Sequence, residues 1–271
     1  MSPEHSVADA SHFAAVDQRS DPAAMIAMLD RLKLLLRGPK DSLLERLSLQ
    51  HARTAIDVGC GAGGDVVEMA GRMPPGGKAV GVDASEAMIA EARRRHSGHG
   101  HGVSFRLGDA LGLPYPDDAF DVCRTETVLQ HLPDVSQAIS EMVRVTRPGG
   151  RVGVLEIDEG SVVLDHPDQQ TTRTILRAFS DSFACGWAGR QLPRLFRQAG
   201  LTGVTVDPFV VLGPAEIFHA LLGPAVTRLC DEQVLTAGQA GRWWDALRRQ
   251  QEEGSFLGGA TAFVVTGTRP A

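Results

Sequence analysis

Residues 57–65 read "DVGCGAGGD" and hold two glycine patterns at once. Gly59, Gly61 and Gly64 spell G-x-G-x-x-G, whereas Gly59, Gly61 and Gly63 spell G-x-G-x-G. Either pattern lets the backbone approach a ligand closely with a helix beginning beneath it, so glycine spacing alone does not name the ligand. The residues before the glycines, "TAIDVG", are β-branched and apolar and predict a strand that runs into the loop. Outward from there the units alternate: helix "DVVEMAGRM", break "PPGG", strand "KAVGVD", helix "SEAMIAEARRRH", strands "VSFRLGD" and "FDVCRT", a helix near 135–145, break "RPGG" and strand "RVGVLEI". Repeated β-α units with apolar strands predict a doubly wound α/β fold, a mostly parallel sheet with helices on both faces and ligands beyond the carboxyl ends of its strands.

The flanking segments follow a looser pattern. In the first 50 residues Asp21 suits an N-cap, Pro22 a first helical position, and Met25, Met28, Leu29, Leu32, Leu35 and Leu36 recur at helical spacing. "RGPK" is expected to stop that helix, and "SLLERLSL" to form a second short one. After the core come helices "QQTTRTILRAFSDSF" and "LPRLFRQAG", strand "LTGVTVDPFVVL", helical stretches around 215–229 and 239–251, and a last strand "ATAFVVTGT". The expected organisation is an N-terminal helical cap over 1–50 and a main domain over 51–271, with cap or insertion segments at about 160–190 and 213–255.

Bulk properties limit the partners. A chain of 271 residues with ordinary apolar content buries a substantial core. The net charge of -6, with Lys33, Lys40 and Lys78 as the only lysines, argues against nucleic acid and acidic membranes. No basic start followed by an apolar run and no apolar stretch near the roughly 20 residues of a membrane span is present, so a cytoplasmic location is expected. Cys60, Cys123, Cys185 and Cys230 are widely spaced, which predicts reduced thiols and neither a disulfide framework nor a zinc site. "RRRHSGHGHG" contains His96, His99 and His101, but without an acid or cysteine at ligand spacing it reads as a solvated loop; no metal is expected.

Three acids end three successive strands. Asp57 lies two positions before Gly59; a pyrophosphate there would be repelled by roughly 4 kcal/mol at an effective dielectric near 20, whereas an ammonium and a sulfonium are attracted. Asp65 is read as a first-turn acid that complements the helix dipole. Asp83 ends "AVGVDAS", where an acid meets ribose hydroxyls in either cofactor class. Asp109 ends "RLGDA", placed to accept from an adenine amino group beside Ala110.

Taken in order, "AIDVGCGAGGD", "VGVDAS", "RLGDALGLPYPDDAFDVCRTETVLQHLPD" and "EMVRVTRPGGRV" resemble the class I S-adenosylmethionine-dependent methyltransferases, especially the small-molecule branch similar to the ubiquinone/menaquinone-biosynthesis type. The resemblance covers residues 52–160 most closely. It implies a Rossmann-like seven-stranded sheet with the last strand antiparallel, and S-adenosylmethionine as cofactor. It further implies that Asp57, Gly59, Gly61 and Gly63 surround the methionine part, Asp83 holds the ribose and Asp109 with Ala110 the adenine, with Met88 packed near adenine or ribose unless it is core, and with Ala84, Gly108 and Gln130 as further cofactor-binding residues. Arg124 and Thr125 would flank the methionine end, where the family commonly has small residues or Asn; Arg124 beside a cationic cofactor needs the cofactor carboxylate or Glu126 as partner.

Methyl transfer is an in-line displacement that needs alignment, exclusion of water and, for a protic acceptor, a base. His131 in "VLQHLPD" is the candidate base, with Gln130 beside it as a site-lining residue; the alternative for His131 is a local hydrogen bond at a helix start. Phe13, Met25, Met28, Phe179, Phe183, Trp187, Phe209, Phe218, Trp243 and Trp244 offer an apolar wall for an aromatic or polyketide-like small-molecule acceptor, or are simply core. His12, Gln18, Arg19 and His219 are polar candidates in the same regions, and the N-terminal helix is a place where a second subunit would pair to form a homodimer. Two rival readings stand beside this one: an S-adenosylmethionine-binding protein that catalyses another reaction such as a cyclisation, and an NAD(P)-dependent oxidoreductase. The second lacks its chemistry, because Tyr115, the single tyrosine, is followed by "PDDA" and no Tyr-x-x-x-Lys pair exists.

Overall fold

The computed structural model describes residues 32–98 and 102–271. Seven strands form one sheet in the order β3-β2-β1-β4-β5-β7-β6. They are β1 (Thr54–Val58), β2 (Lys78–Asp83), β3 (Val103–Leu107), β4 (Phe120–Glu126), β5 (Thr146–Leu164), β6 (Thr202–Leu212) and β7 (Gly258–Thr268). β1 to β5 pair in parallel, and β7 runs antiparallel between β5 and β6, as the resemblance implied. From β1 the chain steps outward through β2 to β3, then returns to the other side of β1 as β4. The order therefore reverses between β1 and β4, where sheets of this kind open a crevice for ligands.

Period two along the strands divides the apolar residues between two faces. Ile56 and Val58 of β1, Cys123 of β4 and Val152 and Val154 of β5 pack under α4 (Val135–Val145) and α6 (Ala188–Gln198). Ala55, Val122, Leu155 and Val264 pack under α1 (Arg37–Arg46), α2 (Gly64–Arg72) and α3 (Glu86–Arg95). A third cluster stands apart, in which Ile175 and Phe179 of α5 (Gln169–Ser180), Phe218 and Leu222 of α7 (Ala215–Asp231) and Trp243 and Leu247 of α8 (Ala237–Glu252) pack on one another. Trp243 centres it: its Nε1 donates to Thr172 Oγ1 at 2.9 Å and its ring stacks on His166 at 5.1 Å. Truncating a tryptophan so buried costs about 3–5 kcal/mol.

Side chains start the helices where the sequence offers them. Ser85 caps α3 by accepting from Met88 N, Asp134 and Asp168 do the same for α4 and α5, and Thr236 with Gln239 forms a capping box on α8. Two expected breaks have different outcomes. The helical stretch over 32–35 does end at Leu36, just before "RGPK", but α1 begins at once at Arg37, because Pro39 sits in the first turn, where its missing N–H leaves no hydrogen bond unmade. "RPGG" lies within β5, as an irregularity between the pairs Phe120↔Thr146 and Val122↔Arg151, with Gly149 at φ 77°. β5 also continues well past "RVGVLEI" to Leu164, still paired with β7, and brings Val162 and Leu164 against the cluster of α5, α7 and α8.

Candidate active site

A cavity of about 300 Å³ opens at the carboxyl ends of β1, β2, β4 and β5. At one end it is walled by the loop after β1, by Asp83, Ala84, Ser85 and Met88 after β2, and by Gly108, Asp109 and Ala110 after β3. At the other it is walled by Ile157, Glu159 and Val162 of β5, Phe179 and Phe183, Val211, and Ile217, Phe218 and Leu222 of α7. Leu32, Lys33, Leu35 and Leu36 close it from the N-terminal side.

The loop resolves the doubled glycine pattern. Gly59, Gly61 and Gly63 all have positive φ (74°, 52° and 82°), where side chains are strained. A Cβ on Gly59 would lie 2.2 Å from Val128 Cγ2, and one on Gly63 2.4 Å from the Phe105 ring. Gly61 faces open space on the cavity wall. Gly64 has no positive φ, and a Cβ there would meet nothing within 4 Å. The geometry thus demands G-x-G-x-G and leaves the third glycine of G-x-G-x-x-G without a task. Asp83 holds the loop in place, accepting from Gly61 N at 2.8 Å and from Ser85 N at 2.9 Å. The Asp109 carboxylate turns its own loop by accepting from Leu111 N at 2.9 Å and stays exposed at the cavity rim.

Strand register builds a buried charge cluster at the switch point. Asp57 pairs with Arg124 in the β1·β4 ladder, and Glu126, two residues on, shares the face of Arg124. α1 and α2 lie over that face and add Lys40 and Asp65. Arg124 Nη2 is 2.5 Å from Glu126 Oε2, Arg124 Nε 3.2 Å from Asp57 Oδ1, Lys40 Nζ 2.7 Å from Asp65 Oδ1 and 3.2 Å from Glu126 Oε1, and Lys33 Nζ 3.6 Å from Asp65 Oδ2. Burial pushes the Asp57 carboxyl up to about 7 while Arg124 pulls it down. Burial also works against ionised Asp65, but Arg124, Lys33 and Lys40 outweigh it and hold its carboxyl well below the usual range. Lys40 is held above its ordinary value, burial being outweighed by Glu126 and Asp65. Arg124 is fully buried, lines the cavity, and has no hydrogen-bond partner for Nη1.

A second cluster lies on the turn after β4 and the end of β5. Leu129 N donates to Glu156 Oε2 at 2.8 Å. With its amide nitrogen turned to the acids, Gln130 donates to Glu156 Oε1 at 2.8 Å and Glu159 Oε1 at 3.2 Å. The amide oxygen then faces His131 Nε2 across 3.3 Å. The His131 ring lies 5.5 Å from that of Phe183. Burial pushes Glu159 up to about 8, helped by the Asp158 charge, and raises Glu156 well above an ordinary carboxyl.

Of the residues singled out in the sequence, Gly59, Gly61, Asp83, Ala84, Met88, Gly108, Asp109, Ala110, Arg124, Gln130 and His131 line one cavity. Asp57, Gly63 and Thr125 stand behind its wall: Asp57 against Arg124, Gly63 against Phe105, and Thr125 with Oγ1 donating to Val58 O at 2.7 Å. Phe179, Phe183 and Phe218 are wall residues, whereas Trp243 is core and Trp187 is exposed. Phe13, Met25, Met28, His12, Gln18 and Arg19 lie outside the described residues, as do His99 and His101; His96 sits 3.1 Å from Ala62 O. Sequence reasoning passed over Lys33, Lys40, Glu156 and Glu159. The first two had no visible partner, but "LEIDEG", an apolar strand that ends in three carboxylates, was a legible signal for the others.

Residues 49–200 match a family model described as "Methyltransferase domain". The chain is 35% identical over 246 residues to an uncharacterized 37.1 kDa protein in transposon Tn4556 of Streptomyces fradiae, covering 89% of this chain and 70% of that one. It is 31% identical over 187 residues to the demethylmenaquinone methyltransferase of Halalkalibacterium halodurans, covering 63% and 76%. Among solved structures, it is similar to geranyl diphosphate methyltransferase in complex with S-adenosylmethionine (TM-score 0.56, 20% identity, 94% of each chain) and to the [4+2]-cyclase SpnF (TM-score 0.53, 25% identity, 86% of this chain and 80% of that one).

Proposed function

Because the chain belongs to the class I S-adenosylmethionine-dependent methyltransferases, we propose that it methylates a small, largely apolar acceptor, aromatic or polyketide-like in character. The observation that carries this reading is one cavity with two unlike ends, one set with strand-end acids and glycine backbone, the other with aliphatic and aromatic side chains.

The residues present fit the donor. The open face of Gly61 admits a ligand against backbone, the Asp83 carboxylate stands where ribose hydroxyls donate, and the slot of Met88, Gly108 and Ala110 takes a flat base with Asp109 at its edge. Arg124 Nη1, buried without a partner on the cavity wall, suits the carboxylate of an amino acid; Asp65 and Glu126 on the same wall suit its ammonium. In this reading Asp57 acts through Arg124, and Gly63 and Thr125 shape the loop and strand end from behind. When bound, S-adenosylmethionine supplies a methyl carbon on a sulfonium. The chain's part is to align the acceptor and keep water out, which suits the segments over 1–50, 160–190 and 213–255 to a cap role.

Calorimetric titration with S-adenosylhomocysteine and NADH tests the donor; binding of NADH alone would overturn the reading. Radiolabelled methyl transfer from S-adenosylmethionine to a panel of phenols, amines and activated carbon acids tests the reaction. The likeness to SpnF favours a second reading, ring closure on the same frame. Donor-dependent turnover of a polyene without label transfer would select it.

A further inference from the structure

The acceptor end of the cavity is apolar except at one place. There Glu159, Gln130 and His131 reach the wall together, and Glu156 lies behind them with no exposure. Of the three carboxylates on this stretch of β5, Asp158 is clamped by both Nε and Nη2 of Arg190. Among the described residues no lysine or arginine pairs with Glu156 or Glu159, so Gln130 is what ties these two acids together. A carboxyl in a dry site with no cation beside it keeps its proton until the pH rises well above the ordinary range, or until a ligand brings a positive charge near. For Glu159, burial and the neighbouring Asp158 place that point at about 8. A group whose midpoint lies this near the working pH exchanges protons with a reacting atom more effectively than an ordinary carboxyl does.

We propose that Glu159 is the catalytic base of the methyl transfer, that Gln130 and Glu156 are its positioning residues, and that the acceptor is an apolar molecule carrying one protic nucleophile, a hydroxyl or an amine N–H. The proposal rests on the methyltransferase reading above and adds to it the group that removes the proton. In the step, the acceptor's O–H or N–H bond breaks and the proton passes to the Glu159 carboxylate. The freed lone pair forms the bond to the methyl carbon, and the pair of the C–S bond stays on sulfur. The negative carboxylate and the positive sulfonium are both neutralised, a change favoured where water is excluded. His131, held to Gln130, orients the amide that presents Glu159, and so acts on the base at one remove.

Glu159→Gln in the full chain is the test, with Glu159→Asp as the conservative rescue. S-adenosylhomocysteine is expected to bind both variants as it binds the wild type. Turnover of a phenol or secondary amine from the acceptor panel should fall about 100-fold in Glu159→Gln and recover in part in Glu159→Asp. The acid limb of the wild-type pH–rate profile, drawn below 8 by the positive donor, should vanish with Glu159→Gln; Glu156, Asp158, His131, Cys185 and Arg190 are the other titratable or charged groups around this corner, and all remain in that variant. An acceptor-free readout accompanies these: the infrared difference between carboxyl-labelled wild type and Glu159→Gln should titrate near 8. A midpoint in the ordinary carboxyl range, or an unchanged profile and rate in Glu159→Gln, overturns the proposal while leaving the donor reading intact. Failure of the wild type to bind S-adenosylhomocysteine overturns both.

Discussion

Asp57 on β1 and Arg124 on β4 are neighbours in register, and Asp57 Oδ1 lies 3.2 Å from Arg124 Nε with both side chains buried. The acid that argued from the sequence for a positively charged ligand meets the positive charge of its own chain first. The cluster that follows from this pairing joins α1, α2, β1 and β4 through five residues, with Lys33 adding a sixth from the stretch before α1.

Asp57→Asn is therefore expected to weaken donor binding and lower stability together, rather than binding alone. Arg124 keeps Glu126 at 2.5 Å in that variant and the Asp57 carboxyl, pushed up to about 7, is only partly charged near neutral pH, so the loss should stay at the ~1 kcal/mol of an ordinary destabilising substitution, below the roughly 3–5 kcal/mol of leaving a buried charge unpaired. Denaturant melts and titration with S-adenosylhomocysteine check both effects. An unchanged melt with weakened binding would show that Asp57 serves the ligand directly.

The glycines separate by substitution. Gly59→Ala and Gly63→Ala each combine a positive φ with a close approach, to Val128 and Phe105 respectively, and should each cost about 1–3 kcal/mol. Gly64→Ala meets nothing and should change stability and cofactor affinity by no more than about 0.5 kcal/mol. Melting curves of the three variants test the order; a Gly64→Ala variant as damaged as the other two would restore the dinucleotide pattern.

The acid pair of β5 sets a pH dependence. The native carboxyl of Glu159 is raised to about 8 from an ordinary 4.5, so between those values the folded chain holds a proton that the unfolded chain has released. Bound protons are then more numerous in the folded state, and stability falls as pH rises through this window. Glu159→Gln should flatten the decline of Tm between pH 5 and 8. A slope as steep as that of the wild type would return Glu159 to an ordinary carboxylate.

His131→Ala should leave the affinity for S-adenosylhomocysteine unchanged and lower kcat about tenfold, because the ring lines the acceptor end and bonds to Gln130 rather than to the loop after β1. Unchanged turnover would make it a structural residue of the turn at Leu129–His131.

Most of the sheet was legible because its strands are short, apolar and punctuated, from "TAIDVG" to "KAVGVD" and "ATAFVVTGT". The misjudged spots are those where tertiary pairing overrules a local breaker. "RPGG" is absorbed as an irregularity because β5 has partners on both sides, and α1 starts at Arg37, ahead of the expected "SLLERLSL", because Pro39 falls in a first turn that needs no N–H. That Gly59, Gly61, Asp83 and Asp109 meet at one cavity was legible because the carboxyl ends of neighbouring strands converge on a crevice in this topology. Lys40 and Glu159 were not, since Lys40 finds Asp65 across 25 positions and Glu159 is distinguished by burial and by the absence of a cation beside it.

The third apolar cluster, centred on Trp243, sits on α5, α7 and α8, none of which belongs to the two layers that flank β1 and β4. Walls contributed by Phe179 and Phe218 are thus anchored in a core of their own. Exchanging those helices between related chains would recast which molecules are accepted while the machinery that grips adenosine stays intact, so diversification of substrate range requires no reinvention of the reaction.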